Sequence, residues 1–304
     1  MNLLERLLLA WFVGDGFAAQ TEGMDSEAAM AIPEGMLSEV YTLEEVTPEV
    51  GISSVVSDLV IIASLSLEKV RMLDTDHLKS RYSLYTELSS LASFPISGDH
   101  AYALVRAPLY AALRLKYSYD PWQRAVASEV ALTHTHPFAV EAARCISYAL
   151  VLVLREEAAN AGHLASLLLR EIAKRSWDAK LETALRTAIN QKPLAETPTE
   201  ASYLLLPTIT VVFHTLLSEC SYEDGMDTIA RRGGNSRLSC ALYSALKVLL
   251  DGYGPPERWV DEIAPSASVQ QLIKSETLFE RETIRMERLA SRVSETLLKE
   301  EEER

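Results

Sequence analysis

The sequence predicts an all-α fold built as one large helical domain, and three observations lead there. Apolar residues recur at helical spacing along almost all of its 304 residues. No series of alternating strands and turns interrupts that pattern. No polar linker divides the chain, and no internal repeat of about 20–50 residues stands out. With hydrophobic residues at 48%, the chain has the means to bury a substantial core, which excludes global disorder.

Each element follows in order. Leu3 to Ala19 reads as one apolar helix and Val55 to Met72 as a second. Asp74 or Thr75 can cap a third helix running to about Ala92. Ala101 to Leu115 is apolar and rich in alanine, and reads as a helix. Asp120-Pro121 places a capping side chain before a proline at the first helical position, so a helix is expected to start there. His136 to Arg155 and Ala158 to Ser176 follow after a short break, then Asp178 to Ile189, which is amphipathic. Gln191 to Thr199 holds two prolines and is expected to be a loop. Within Tyr203 to Cys220, the β-branched run Thr208 to Phe213 could form a strand; the length and flanking leucines favour a buried helix. Ser221 to Arg231, Ser236 to Leu250 and Pro256 to Ile263 complete the main body.

The last segment, Val269 to Arg304, is charged and amphipathic, and 269–304 is expected to be a C-terminal helix of the same domain. Leu272, Phe279, Met286 and Val293 recur every seven residues, but the second heptad position holds Glu276, Thr283, Ala290 and Leu297. A coiled coil needs both positions apolar. A helix laid on the domain surface is the simpler expectation, and a homodimer contact the alternative.

Charge narrows the partners. There are 43 acidic and 29 basic residues, for a formal net charge of −14. An acidic surface repels phosphate backbones, so nucleic acid is not an expected partner. Leu7 to Val13 is apolar, but it is too short to span a bilayer and is flanked by Glu5 and Asp15; it reads as a buried helix, and no membrane association is expected. Cys145, Cys220 and Cys240 form no close-spaced metal or redox motif, which fits a reducing cytoplasm.

Four short segments carry a further signal. They are Gly14-Asp15-Gly16 with Glu22 beyond it, Ser57-Asp58-Leu59-Val60, Thr133-His134-Thr135-His136-Pro137, and Gly233-Gly234-Asn235-Ser236-Arg237-Leu238, with Pro256-Glu257-Arg258-Trp259 after them. In order and spacing this series resembles the ADP-ribosylglycohydrolase family. Its members show Gly-Asp-Ala-Leu-Gly, Thr-Asp-Asp-Thr, Thr-His-x-His-Pro-x-Ala and Gly-Gly-Asp-Thr-Asp-Thr at these places. Gly98 to Pro108 resembles a fifth family segment, whose arginine falls at Val105 or is displaced to Arg106. The resemblance implies a large orthogonal helical domain of the ADP-ribosylglycohydrolase type. It also implies a cleft formed by Asp15, Glu22, Ser57, Asp58, His134, Asn235, Ser236 and Arg237.

The resemblance implies two magnesium ions that orient ADP-ribose and a water for hydrolysis, and here the residues disagree with it. Magnesium needs hard oxygen ligands in near-octahedral geometry. Where the family pattern offers five carboxylates, this chain keeps Glu22 and Asp58, while Leu59, Asn235 and Arg237 replace the other three. Val60 and Leu238 replace threonines. Two divalent cations beside a guanidinium are electrostatically unfavourable. No metal is therefore expected at the degenerate positions Ser57, Asp58, Leu59, Asn235, Arg237 and Leu238, and no cofactor elsewhere; the alternative is Mg2+ as in the family. Arg237 is expected to fill the metal space and to pair with Asp58, Glu22 or both.

The function that follows is a family member without two-magnesium hydrolysis, a ligand-binding or structural pseudoenzyme whose partner is ADP-ribose or an ADP-ribosylated molecule. The alternative is a divergent hydrolase that removes ADP-ribose from a protein or small molecule, with Glu22 or Asp58 as general base. Simpler roles stand beside these: Asp58 as a first-turn helix carboxylate, and His134 and His136 as capping or packing residues.

Overall fold

The computed structural model describes residues 3–32, 54–70, 74–88, 96, 98–191, 193–194 and 197–263. The expected C-terminal helix and its heptads lie outside the described residues. Among those residues there are α-helices, one 3₁₀ turn and two isolated bridge pairs, Ile96 with His134 and His100 with Leu204. The helices are α1 (Leu3–Phe17), α2 (Ser26–Met30), α3 (Val55–Val70), α4 (Thr75–Leu88), α5 (Ala107–Lys116), α6 (Tyr119–Thr133) and α7 (Pro137–Leu154). They continue as α8 (Ala161–Arg175), α9 (Ala179–Ile189), α10 (Thr199–Ser202), α11 (Leu205–Leu217), α12 (Tyr222–Ala230), α13 (Ser236–Asp251) and α14 (Glu257–Ile263).

Local chemistry sets many of the starts. The Asp74 carboxylate accepts from the amides of Asp76 and His77, both at 3.0 Å, and opens α4. The imidazole Nδ1 of His136 accepts from the Phe138 amide at 3.2 Å, with Pro137 in the first turn of α7. Asn160 and Ser221 do the same work for α8 and α12.

Two expectations shift, and the favoured reading of a third segment holds. Ala101 to Leu115 is not one helix. Ala101–Leu104 is a 3₁₀ turn, and α5 starts afresh at Ala107 with Pro108 in its first turn. Proline there cannot continue a preceding helix, because it has no N–H and crowds the carbonyl four residues back. α6 begins one residue before the expected cap, at Tyr119. The β-branched run in α11 is helical, with Thr208, Ile209, Val212 and Phe213 buried; tertiary packing outweighs its strand propensity.

The core forms around α1 and α13, which make the most extensive helix pair among the described residues. A Cβ at Gly14 would lie 2.5 Å from the Cys240 carbonyl oxygen, so the two backbones can approach this closely only over a glycine. The Ser244 hydroxyl donates to the Ala10 carbonyl across the same contact at 2.5 Å. α14 covers α1, with Trp259 against Phe17 at 4.7 Å between ring centroids. α7 is long and apolar enough to cross a membrane by length and composition, yet 72% of it is buried inside the fold. This arrangement brings three helix ends together: the C-terminal end of α1 and the N-terminal ends of α3 and α13.

Candidate functional site

The turn before α13 fixes the site. Gly233 and Gly234 both have left-handed backbones, with φ of +66° and +59°. The Gly234 amide donates to the Met24 carbonyl at 2.7 Å, and the Gly23 amide donates to the Gly234 carbonyl at 2.8 Å. A Cβ at Gly233 would sit 2.3 Å from the Met24 carbonyl oxygen, and one at Gly234 2.1 Å from Ser202 Oγ. The two glycines thereby clamp the loop after α1 onto the start of α13.

That clamp delivers Glu22 to the positive end of α13. Asn235, at the capping position, makes no capping bond. Its side chain turns inward, donating from Nδ2 to Thr208 Oγ1 at 3.1 Å and leaving Oδ1 buried without a partner. Glu22 supplies the cap from outside the helix. Its Oε2 accepts from the Arg237 amide at 2.9 Å and lies 3.3 Å from the Ser236 hydroxyl, while Oε1 accepts from the Tyr203 hydroxyl at 2.9 Å. Burial raises the Glu22 pKa; the Arg237 amide, the Tyr203 hydroxyl and the Arg237 charge oppose that rise without cancelling it.

Arg237 projects back onto α1. Its Nε donates to Asp15 Oδ1 at 2.5 Å. The Asp15 side chain is 1% exposed and that of Arg237 18%. Ser54 Oγ also donates to Asp15, at 2.9 Å, and Ser57 Oγ makes a short bond to its other oxygen. Burial works against the Arg237 charge, but Asp15, through charge and hydrogen bond, and then Glu22 outweigh it and move the pKa upward.

The expected partners of Arg237 therefore need correction. The ion pair is with Asp15, because the guanidinium reaches across the α1–α13 contact to the end of α1. Glu22 holds the Arg237 backbone amide and adds only its field to the side chain. Asp58 lies half-buried in the first turn of α3, its amide donating to the Ser54 carbonyl at 2.8 Å. Leu59, Val60 and Leu238 are fully buried and belong to the hydrophobic core.

His134 stands in a different network. Arg106 Nε lies 2.7 Å from Glu129 Oε1, and Tyr82 donates to that carboxylate at 2.5 Å. Arg106 Nη2 donates to Thr133 Oγ1 at 2.7 Å, and Thr133 Oγ1 is 3.0 Å from His134 Nδ1. All of these side chains are buried. Burial, then the charges of Arg106 and His100, lower the His134 pKa to about 3, so the ring is neutral at ordinary pH. The rings of His100, Tyr102 and Tyr203 lie between this network and the Glu22 cluster, His100 stacked on Tyr203 at 5.7 Å. The sequence reading missed Tyr82, Glu129, Tyr102 and Tyr203. Only Glu129 left a signal, a carboxylate on the apolar face of α6.

These residues do not fit a pair of magnesium ions. A guanidinium occupies Asp15, both Glu22 oxygens already accept hydrogen bonds, and Leu59, Val60 and Leu238 are buried in the apolar core. Among the described residues, no three His, Cys, Asp or Glu side chains group as a metal site requires.

Comparison with known proteins agrees with the helix arrangement. A profile of the ADP-ribosylglycohydrolase family matches residues 3–292, and the chain belongs to that family. Among solved structures, the fold is similar to one described as an ADP-ribosylglycohydrolase-related protein complex, with a TM-score of 0.66 and 18% identity. The match covers 90% of this chain and 99% of the other. At that identity the likeness is one of fold. No curated protein matches the sequence.

Proposed function

We propose that this family member binds ADP-ribose or an ADP-ribosylated molecule in the cytoplasm, without two-metal hydrolysis. The observation that carries this reading is the Arg237 Nε bond to Asp15 Oδ1 at 2.5 Å. A cation fixed on Asp15 supports a site that works without divalent ions. Nε is the only guanidinium nitrogen of Arg237 with a hydrogen-bond partner among the described residues, and the side chain keeps some exposure. Its remaining N–H groups suit a phosphate, and the nearby rings of Tyr102 and Tyr203 suit a base or a sugar face. The free state of Cys145, Cys220 and Cys240 is consistent with a reducing compartment.

The alternative, a divergent hydrolase, draws on one observation. Burial raises the Glu22 pKa, which is the direction a general base needs. Against it, the hydrogen bonds that both Glu22 oxygens accept favour the ionised carboxylate and hold it in place as a helix cap.

A melting-temperature assay with ADP-ribose, with and without magnesium, tests the proposal. An equal rise in both arms, with no ADP-ribose released from ADP-ribosyl-arginine, supports ligand binding without catalysis. A rise that needs magnesium, or measurable turnover, overturns it.

A further inference from the structure

In a chain of net charge −14, one face built from α5 to α8 gathers four arginines. Tyr119, at the start of α6, is their centre. The Arg175 guanidinium, at the end of α8, lies 3.4 Å from the Tyr119 ring centre and 5.6 Å from that of Tyr148 on α7. Arg114 reaches the same Tyr119 ring from α5, at 5.9 Å. Arg144, on α7, donates from Nη2 to the Gln123 carbonyl on α6 at 2.7 Å, and its charge also acts on Tyr119. Arg155 closes α7, and its charge acts on Arg114. Arg155 is exposed, and the other three are half-buried.

Carboxylates answer these cations only in part. Among the described residues, Glu171 alone comes within 3.5 Å of any of the four guanidiniums; it meets Arg175 Nε at 2.6 Å and shares itself with Lys174 at 3.5 Å. Glu157 stands 3.9 Å from Arg155, and an ion pair this open to water contributes little. Arg114 donates to the Tyr117 carbonyl at 2.9 Å and, like Arg144, has no ion pair. The Glu141 charge acts on Arg144, but its Oε2 accepts from the Asp178 amide at 2.6 Å. Burial, then the Arg155 charge, lower the Arg114 pKa, and Arg175 adds to the effect. Packing thus holds like charges together, and an anion laid across them relieves the repulsion.

The width of the patch narrows the anion. Arg144 and Arg155 start about 16 Å apart along the α7 axis. Charge spread this far suits a partner that carries several anionic groups in succession, and an extended peptide crosses that span in about five residues. Nucleic acid fits less well. The Tyr119 and Tyr148 rings already carry the Arg175 guanidinium rather than lying open to stack bases, and the acidic remainder of the chain repels a long phosphate backbone.

We propose that this face docks an acidic polypeptide segment of a partner protein, its carboxylates paired with Arg114, Arg144, Arg155 and Arg175. The patch stands on α5 to α8 and the Arg237 cleft on α1, α3 and α13, so the proposal does not depend on what that cleft binds.

Fluorescence anisotropy on the full chain tests this with three labelled probes of equal length: a hexaglutamate peptide, a hexaglutamine peptide and a hexathymidylate. The glutamate peptide is expected to bind saturably at low ionic strength, about tenfold or more tighter than either other probe. Its affinity should fall about tenfold or more when salt rises from about 20 to 200 mM. Arg155→Gln changes an exposed side chain and is expected to weaken it about threefold or more; Arg114→Gln combined with Arg155→Gln, about tenfold. Arg186→Gln, an exposed arginine on α9 paired with Glu182, should leave the affinity unchanged. Near-UV circular dichroism confirms that each variant keeps its native packing. No saturable binding of the glutamate peptide, equal or tighter binding of the thymidylate, or affinity unchanged in Arg155→Gln would each overturn the proposal.

Discussion

Arg237 Nε and Asp15 Oδ1 meet at 2.5 Å across 222 positions of sequence. Asp15 also receives Ser54 and Ser57, so one buried carboxylate joins α1, α3 and α13. An ion pair and two hydroxyls thus join these helix ends through the chain's own side chains.

Removing the cation should therefore cost stability. Arg237→Ala leaves Asp15 buried with only hydroxyl donors and is expected to lower the unfolding free energy by about 3–5 kcal/mol, toward the lower end because the guanidinium is partly exposed. Asp15→Asn should cost less, since an amide retains much of the hydrogen bonding. The double variant should be less destabilised than the sum of the singles. Urea denaturation measures all three, and simple additivity would mean that the two residues do not act as a pair.

Arg237→Asp replaces the cation with a carboxylate facing Asp15, at the position where the family places one. Like charges in a buried site are destabilising, so the variant should melt below the native protein in the presence of a chelator. Millimolar magnesium should recover part of that loss in the variant and leave the native melting temperature unchanged. A magnesium-dependent rise in the native protein would contradict the fit argued for Arg237.

His134 makes acid stability testable. Its folded-state pKa is lowered to about 3 from 6.5, so the unfolded chain takes up a proton in that window and the folded chain does not. Stability then rises with pH between the two values and falls as pH drops below 6.5, by about 1.4 kcal/mol per pH unit for this one group. His134→Asn should flatten the pH dependence between about 6.5 and 4.5 relative to the native protein. Parallel urea titrations at three pH values read the difference, and identical slopes would rule the histidine out as its source.

The Gly233-Gly234 turn should tolerate no side chain. Alanine at Gly233 meets the Met24 carbonyl oxygen at 2.3 Å and at Gly234 the Ser202 side chain at 2.1 Å, both at positive φ. Each substitution is expected to cost about 2 kcal/mol or more. Gly252→Ala, also at positive φ but with nothing within 4 Å, should cost about 1 kcal/mol. Equal losses at all three sites would show that backbone conformation, not crowding, sets the cost.

Most of the fold was legible because helical periodicity and capping residues are local. Asp74, His136 and Ser221 mark starts that the structure keeps. The break at residues 105–106 was missed because the apolar pattern runs through it, although Pro108 was the available sign. At the site, the residues at 59, 235 and 237 were legible as departures from the family motif, but the partner of Arg237 was not. Which carboxylate it reaches depends on how closely α1 packs on α13, which the Gly14 contact and the Ser244 bond to Ala10 help to set. Tyr203 on Glu22 and Tyr82 on Glu129 join residues far apart in sequence, and no spacing rule announces either.

The most direct test of the central claim is calorimetric titration of magnesium into the purified native protein. Arg237 on Asp15, with Glu22 occupied by donors, predicts no saturable heat at millimolar magnesium. Saturable binding that Asp58→Asn abolishes would contradict the account and return this chain to the metal chemistry of its family.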